Sequence, residues 1–144
     1  MSIGPEKRVE DALLFYIDKI GGYAIKNQAS ATTGKGRPDI SACINGKYVA
    51  IEVKRGHGNS RTTISQYNHL IRIASANGLA YYVNDSLDFE NNLDTLLRKS
   101  NRDWVSLTLD KSTPTALLKS LNNKIHENSI LKILPNGNVK ALKG

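Results

Sequence analysis

Apolar residues near the N-terminus recur every three or four positions, which is the period of an amphipathic helix. In the stretch VEDALLFYIDKI, Val9, Leu13 and Ile17 fall on one face, and a glycine pair ends the pattern. Pro5 suits the first turn of this helix. A second helical pattern covers residues 64–74, after two threonines that can cap it and before an Asn-Gly stop. We therefore predict two core-packing helices in the first half of the chain.

Three other stretches have the apolar patterns of β-strands. YAIKNQ (residues 23–28) alternates, and GRPDISACINGKYVAIEVKRG (residues 36–56) predicts two strands joined by a turn at Asn45-Gly46. LAYYV (residues 79–83) is the continuous apolar run of a buried strand. The order helix, strand, strand, strand, helix, strand predicts an α/β layer arrangement. The strand at residues 48–54, the helix after it and LAYYV can form a right-handed parallel crossover.

Beyond residue 85 the pattern predicts helices, a strand and a terminal hairpin. SLDFENNLDTLLRKS and TPTALLKSLNNKI have helical spacing, DWVSLTL indicates a short strand, and SILKILPNGNVKALKG indicates a hairpin. We expect one domain over residues 1–144, with a core at 5–84 and a helical and hairpin extension at 85–144. Four aromatic side chains are assigned to the core: Tyr67, Tyr81, Tyr82 and Trp104.

Charge distinguishes the middle of the chain from its ends. The formal net charge is +7, and residues 19–84 hold nine Lys and Arg side chains against only Asp39 and Glu52. Such a basic region attracts polyanions, most often nucleic acid. The alternative is a generally basic protein that its lysines keep soluble, although acids would normally be scattered among those lysines.

Cysteine content and hydropathy favour a reducing, intracellular setting. The single cysteine, Cys43, permits no internal disulfide, and we interpret it as a small buried thiol. No apolar run approaches the roughly 18 residues that cross a bilayer, and acids among the first 20 residues do not suit a secretory leader. We expect no membrane partner and a cytoplasmic location, in a bacterial or phage-infected host cell.

Charged residues on the first predicted hairpin suggest a metal site. Asp39 follows Pro38 at the start of one strand, while Glu52 and Lys54 lie on one face of the other. An antiparallel pairing through the turn at Asn45-Gly46 brings Asp39 opposite Glu52 and Lys54. Two close carboxylates favour a hard divalent cation, and a neighbouring lysine can act on water or phosphate. An Asp39–Lys54 salt bridge beside a solvated Glu52 is the alternative.

RPDI followed by IEVK resembles the signature of the PD-(D/E)XK nuclease superfamily. Over residues 9–84 the chain is most similar to virus-type replication-repair nuclease (VRR-NUC) domains and small Holliday-junction resolvases, whose order of motifs matches VEDALLFYIDKIGG, GRPDI, IEVK and TTISQ. The resemblance implies a restriction-endonuclease-like core, a mixed sheet flanked by helices, and Mg²⁺ or Mn²⁺ as cofactor. It makes Glu10, Asp39 and Glu52 metal ligands or supporting acids, Lys54 the catalytic lysine, and Gln66 a further site residue.

The expected activity is divalent-metal-dependent cleavage of DNA, with branched or Holliday-junction-like DNA as the preferred substrate. A sequence-specific restriction or homing-type endonuclease and a non-cleaving DNA-binding protein remain open alternatives. Loops beside the site supply four basic side chains for phosphate contacts: Lys35, Arg37, Arg55 and Arg61. Cutting both strands of DNA needs two sites, and this chain has one candidate site. We therefore also expect a homodimer or higher homo-oligomer, paired through LDTLL, ALLKSL or the edge of the terminal hairpin.

Overall fold

The structure is a computed structural model that describes residues 5–28, 35–54 and 61–143. In chain order its elements are α1 (Pro5–Lys19), β1 (Tyr23–Lys26), β2 (Ile40–Ile44), β3 (Lys47–Val53), α2 (Ile64–Ser75), β4 (Leu79–Val83), α3 (Ser86–Asn91), α4 (Leu93–Leu97), β5 (Trp104–Leu107), α5 (Pro114–Glu127), β6 (Ile130–Ile133) and β7 (Val139–Leu142). The order predicted for the first 84 residues is confirmed.

All of these strands belong to one mixed sheet, with the order β1-β2-β3-β4-β6-β7-β5. β3 and β4 run parallel and are joined through α2, as predicted, while the other neighbours pair antiparallel. Strands from the region after residue 84 therefore extend the sheet of the N-terminal core. The predicted terminal hairpin is confirmed, because β6 and β7 pair antiparallel. The expectation that it has an exposed edge is wrong, because β6 also pairs with β4 and β7 also pairs with β5.

The turn between β2 and β3 sets the register of the first hairpin. Asn45 and Gly46 have φ values of 51° and 78°, and two consecutive positive φ angles match the twist of a two-residue hairpin. The strands then pair Ile44 with Lys47 and Ile40 with Ile51. Continued by one residue, this register places Asp39 opposite Glu52.

Apolar side chains fill both sides of the sheet. The first core lies against α1, α3 and α4 and includes Leu13, Ile17, Ile51, Val53, Tyr81, Phe89 and Leu96. The second core lies against α2 and α5 and includes Ala50, Tyr67, Leu70, Tyr82, Leu121, Ile125 and Leu131. Because β3 and β4 are covered on both faces, their sequences are nearly continuous in apolar residues. The core assignment of the four aromatic residues is confirmed.

Three expectations about individual residues and helices differ from the structure. The residues 87–97 form two short helices instead of one, and Leu87 is exposed. Cys43 is exposed and not buried, because it lies between the exposed Tyr23 and Tyr48 across the sheet. The apolar helices proposed for dimer contacts instead bury Leu96, Leu121 and other side chains in their own subunit.

Among the described residues, every helix is too short or too polar to pass through a bilayer.

We predict that Leu121→Ala lowers the free energy of unfolding by about 2–5 kcal/mol, because Leu121 lies on the inner face of α5 and is fully buried. Leu87→Ala is the matched control, since Leu87 is 61% exposed and should change stability by no more than about 0.5 kcal/mol. Denaturant unfolding followed by circular dichroism measures both. A separate transition that alone responds to Leu121→Ala would contradict a single sheet spanning both parts of the chain.

Candidate active site

Asp39 is held at the start of β2 by a network centred on Asn27. The Asn27 backbone N–H donates to the Asp39 carbonyl at 2.8 Å, and its Nδ2 donates to the Pro38 carbonyl at 2.9 Å and to Ser41 Oγ at 2.8 Å. The Asp39 side chain accepts a hydrogen bond from the Val53 backbone N–H, with 2.8 Å between N and Oδ2. Backbone and carboxylate of Asp39 are thus both fixed against neighbouring strands.

Glu52 lies on β3 with its carboxyl group inside the protein. The residue is 1% exposed, and its buried Oε2 has no hydrogen-bond partner among the residues that the structure describes. Burial raises the pKa of Glu52, and the side-chain hydrogen bond and charge of Asp39 raise it further, to about 10, against the lowering effect of Lys54. The alternative interpretation, in which Glu52 is solvated, is therefore wrong.

The Asp39–Glu52 pair is balanced by a proton when no cation is present. With a pKa of about 10, Glu52 is protonated at neutral pH, and a protonated carboxyl can donate to the Asp39 carboxylate. A bound cation would take over the role of this proton. The predicted approach of Asp39 and Glu52 is thus present in the structure.

Lys54 follows β3 and lies on the same side of the sheet as Glu52. Its backbone N–H donates to the Val83 carbonyl at 2.9 Å, which continues the parallel pairing with β4. Its Nζ donates to the Arg61 carbonyl at 3.0 Å and to Gln66 Oε1 at 3.3 Å. Lys54 as a whole is 5% exposed, and these two acceptors orient its ammonium group beside the Glu52 carboxyl.

Gln66 combines a structural role with a contact to the lysine. It completes a capping box at the start of α2, since its Oε1 accepts from Thr63 N at 3.1 Å and its own N–H donates to Thr63 Oγ1 at 3.2 Å. The same Oε1 accepts from Lys54 Nζ and from Thr62 Oγ1, each at 3.3 Å. The expectation that Gln66 orients the lysine agrees with this contact.

Glu10 does not join the carboxylate pair in the structure. It lies on α1, which packs on the opposite face of the sheet from α2, and Lys26 Nζ lies 2.9 Å from its Oε1. Across the described ranges, no three His, Cys, Asp or Glu side chains are close enough to hold one metal ion together. The implied set of three acids is therefore not assembled here, and the role of Glu10 stays a prediction.

Three of the four predicted DNA-contacting residues lie in the part of the chain that the structure describes. Lys35, Arg37 and Arg61 are exposed, and Lys35 is tied to α2 because its carbonyl accepts from Ser65 Oγ at 3.0 Å. Arg61 lies shortly before α2, and its backbone carbonyl accepts a hydrogen bond from Lys54 Nζ. Arg55 lies outside the described residues.

Some residues that support the site gave no signal in the sequence. The Tyr82 hydroxyl and Thr62 Oγ1 are 2.9 Å apart, and burial raises the pKa of Tyr82, which keeps this hydroxyl protonated. Thr62 N donates to Asn122 Oδ1 on α5 at 2.9 Å. Helix periodicity identified Thr62 only as a capping residue, and nothing local marks Asn27 or Asn122, because their partners are distant in the sequence.

Comparison with known proteins gives similarity in fold. No family model matches the sequence, and no curated protein matches it. Among solved structures, one described as a VRR_NUC domain is 18% identical, has a TM-score of 0.53, and aligns over 64% of this chain and 97% of that chain. The Holliday junction resolvase Hjc of the archaeal hyperthermophile Archaeoglobus fulgidus is 31% identical over 52% of this chain and 63% of that chain, with a TM-score of 0.41. The likeness to the VRR_NUC domain, together with the mixed sheet flanked by helices, shows that this protein has the restriction-endonuclease-like fold.

Proposed function

We propose that the protein is a divalent-metal-dependent endonuclease that hydrolyses phosphodiester bonds in DNA, with a preference for branched DNA such as four-way junctions. The observation that carries the proposal is the contact between the Asp39 and Glu52 carboxyl groups, with the ammonium group of Lys54, just after β3, near Glu52. The preference for branched DNA rests on the sequence resemblance to resolvases. The net charge of +7 supports a polyanionic substrate.

The donor atoms of the pair suit a hard cation such as Mg²⁺ or Mn²⁺. Within the described ranges, the buried Glu52 Oε2 has no hydrogen-bond partner. Burial without a partner is costly for a polar atom. Carboxylate oxygens are the protein ligands that Mg²⁺ prefers, and it commonly binds one or two carboxylates together with substrate phosphate oxygens. Asp39 and Glu52 would hold the ion, and binding would release the Glu52 proton.

The reaction needs an activated water, a stabilised phosphate charge and a proton for the leaving oxygen. A bound divalent ion would supply Lewis acidity toward the phosphate and lower the pKa of a water molecule. Water adds to phosphorus, one P–O ester bond breaks, and the departing oxygen takes up a proton. Lys54 would orient the water or stabilise the negative charge on the phosphorane oxygens. Gln66 would hold Lys54 in position through the bond to its Nζ.

Incubation with supercoiled plasmid and with a four-way junction tests the proposal directly. We expect cutting in Mg²⁺ and none in EDTA, with symmetric cuts near the centre of the junction. One fixed cut site on the plasmid would favour a sequence-specific restriction or homing-type enzyme. Binding to both substrates with no cutting in Mg²⁺ or Mn²⁺ would indicate a DNA-binding protein on a nuclease fold.

Substitutions at the site should separate cleavage from DNA binding. Asp39→Asn and Glu52→Gln should abolish cleavage and preserve or tighten binding, because each removes negative charge near the phosphate. Lys54→Ala should lower turnover by about a hundredfold or more with little change in metal affinity. Glu127→Gln is the matched control, since Glu127 is exposed and forms a surface pair with Lys124 at 3.7 Å. Cleavage near the wild-type rate by either acidic-site variant would refute the metal site.

The pKa of Glu52 gives a prediction about stability that does not depend on activity. Between pH 4.5 and about 10, the folded protein in EDTA keeps a proton that the unfolded chain releases, so Glu52 makes stability fall as pH rises. Glu52→Gln removes this dependence, and in EDTA it should exceed the wild type in melting temperature by a margin that grows with pH. Added Mg²⁺ or Mn²⁺ should stabilise the wild type and not the variant. A margin that stays constant with pH, compared with Glu127→Gln, would contradict the raised pKa.

We also propose that the protein acts as a homodimer, because cutting two strands needs two copies of the site. The terminal hairpin is interior to the sheet, so the contact must use another surface. Light scattering of the DNA-free protein at micromolar concentration should give about twice the monomer mass of 15.8 kDa. A mass of one chain would mean that any paired cutting depends on DNA to bring two copies together.

A further inference from the structure

A basic cleft lies between α5 and the residues just before α2. Its volume is about 610 Å³, and its lining includes Arg61, Thr62, Lys119, Asn122, Asn123 and His126. The cleft is large compared with a single phosphate group and falls within the size range of sites for nucleotide-sized ligands. Its α5 wall belongs to the C-terminal part of the chain, outside residues 9–84, and none of the predicted roles accounts for that wall.

The cleft has the charge of a site for anions. Its ionisable lining residues are Arg61, Lys119 and His126, and no carboxylate is among the described residues that line it. Arg61, Lys119 and Asn123 are exposed, so their polar ends can reach a ligand from solvent. Leu118 contributes the only large apolar side chain of the described lining, which does not suit an apolar ligand.

Hydrogen bonds connect this cleft to the candidate active site. Arg61 lines the cleft, and its backbone carbonyl accepts a hydrogen bond from Lys54 Nζ at 3.0 Å. Thr62 contacts the Tyr82 hydroxyl at 2.9 Å, and Tyr82 is paired with Glu52 in the parallel register. Asn122 fixes Thr62 from α5 through the bond to its N–H. A DNA strand bound at Glu52 and Lys54 would therefore pass directly into the neighbouring cleft.

We propose that this cleft binds the sugar-phosphate backbone of the DNA strand next to the phosphate being cut, with Arg61 and Lys119 contacting phosphate oxygens. The inference rests on the proposed nuclease function and deepens it, because it assigns the path of the substrate and gives α5 a binding role. Contacts of this kind are independent of base sequence and sensitive to salt.

Fluorescence anisotropy with a labelled four-way junction, in EDTA and over a series of NaCl concentrations, tests the cleft without any cleavage. Lys119→Gln should weaken binding and reduce the slope of log K against log [salt] by about 0.9, the value for one lost phosphate contact. Asn123→Glu should weaken binding because it places a negative charge in the cleft. Lys119 and Asn123 are exposed, so thermal unfolding should show both variants folded.

Lys124→Gln is the matched control for these variants. Lys124 is on the same helix and carries the same charge, but it is outside the cleft lining and pairs with Glu127. We expect the salt slope of Lys124→Gln to equal that of the wild type. Equal slopes for Lys119→Gln and Lys124→Gln, or an unchanged affinity of Asn123→Glu, would overturn the inference.

Parallel cleavage assays separate this inference from the proposed function. If the wild type cuts in Mg²⁺ and Lys119→Gln binds like the wild type, the cleft assignment fails and the nuclease proposal stands. If the wild type binds through Lys119 but never cuts, the cleft stands and the hydrolytic function fails. Absence of DNA binding by the wild type would overturn both.

Discussion

The burial of the Glu52 carboxyl group beside Asp39 is the constraint around which the rest of the site is arranged. A carboxylate without water around it must find a proton, a cation or several donors. Here the apolar faces of β3 and β4 and the helices α2 and α5 exclude water, while Asp39 is fixed by backbone bonds from Asn27 and Val53. The fold therefore keeps two acidic groups together at a cost that a bound cation would offset.

The central part of this arrangement follows from local sequence signals. The Asn45-Gly46 turn, the two-residue period of β3 and the apolar periods of α1 and α2 were each readable, and together they predict that Asp39 meets Glu52 beside Lys54. These signals are reliable because they depend on neighbours a few residues apart. The short loop at Asn45-Gly46 leaves one register for the hairpin.

Contacts between distant segments were not predictable in the same way. The pairings of β6 with β4 and of β5 with β7 join segments tens of residues apart, which no local pattern encodes. The amide of Asn27 and that of Asn122 have ordinary sequence contexts, and only the folded chain brings them to Pro38 and Thr62. The role of Glu10 stays a prediction: the motif order implies a shared site, and in the structure Glu10 pairs with Lys26.

The fixed register of the first hairpin restricts how this segment can change in length. Side chains alternate between the two faces of a strand, so a shift by one residue exchanges every side chain between them. One residue inserted between Ala50 and Glu52, with the turn unchanged, would move Glu52 and Lys54 into the apolar layer against α1 and bring Val53 to the face that holds Asp39. Insertions and deletions should therefore be tolerated at the Asn45-Gly46 loop, where a longer turn can absorb them, and not within β3 itself.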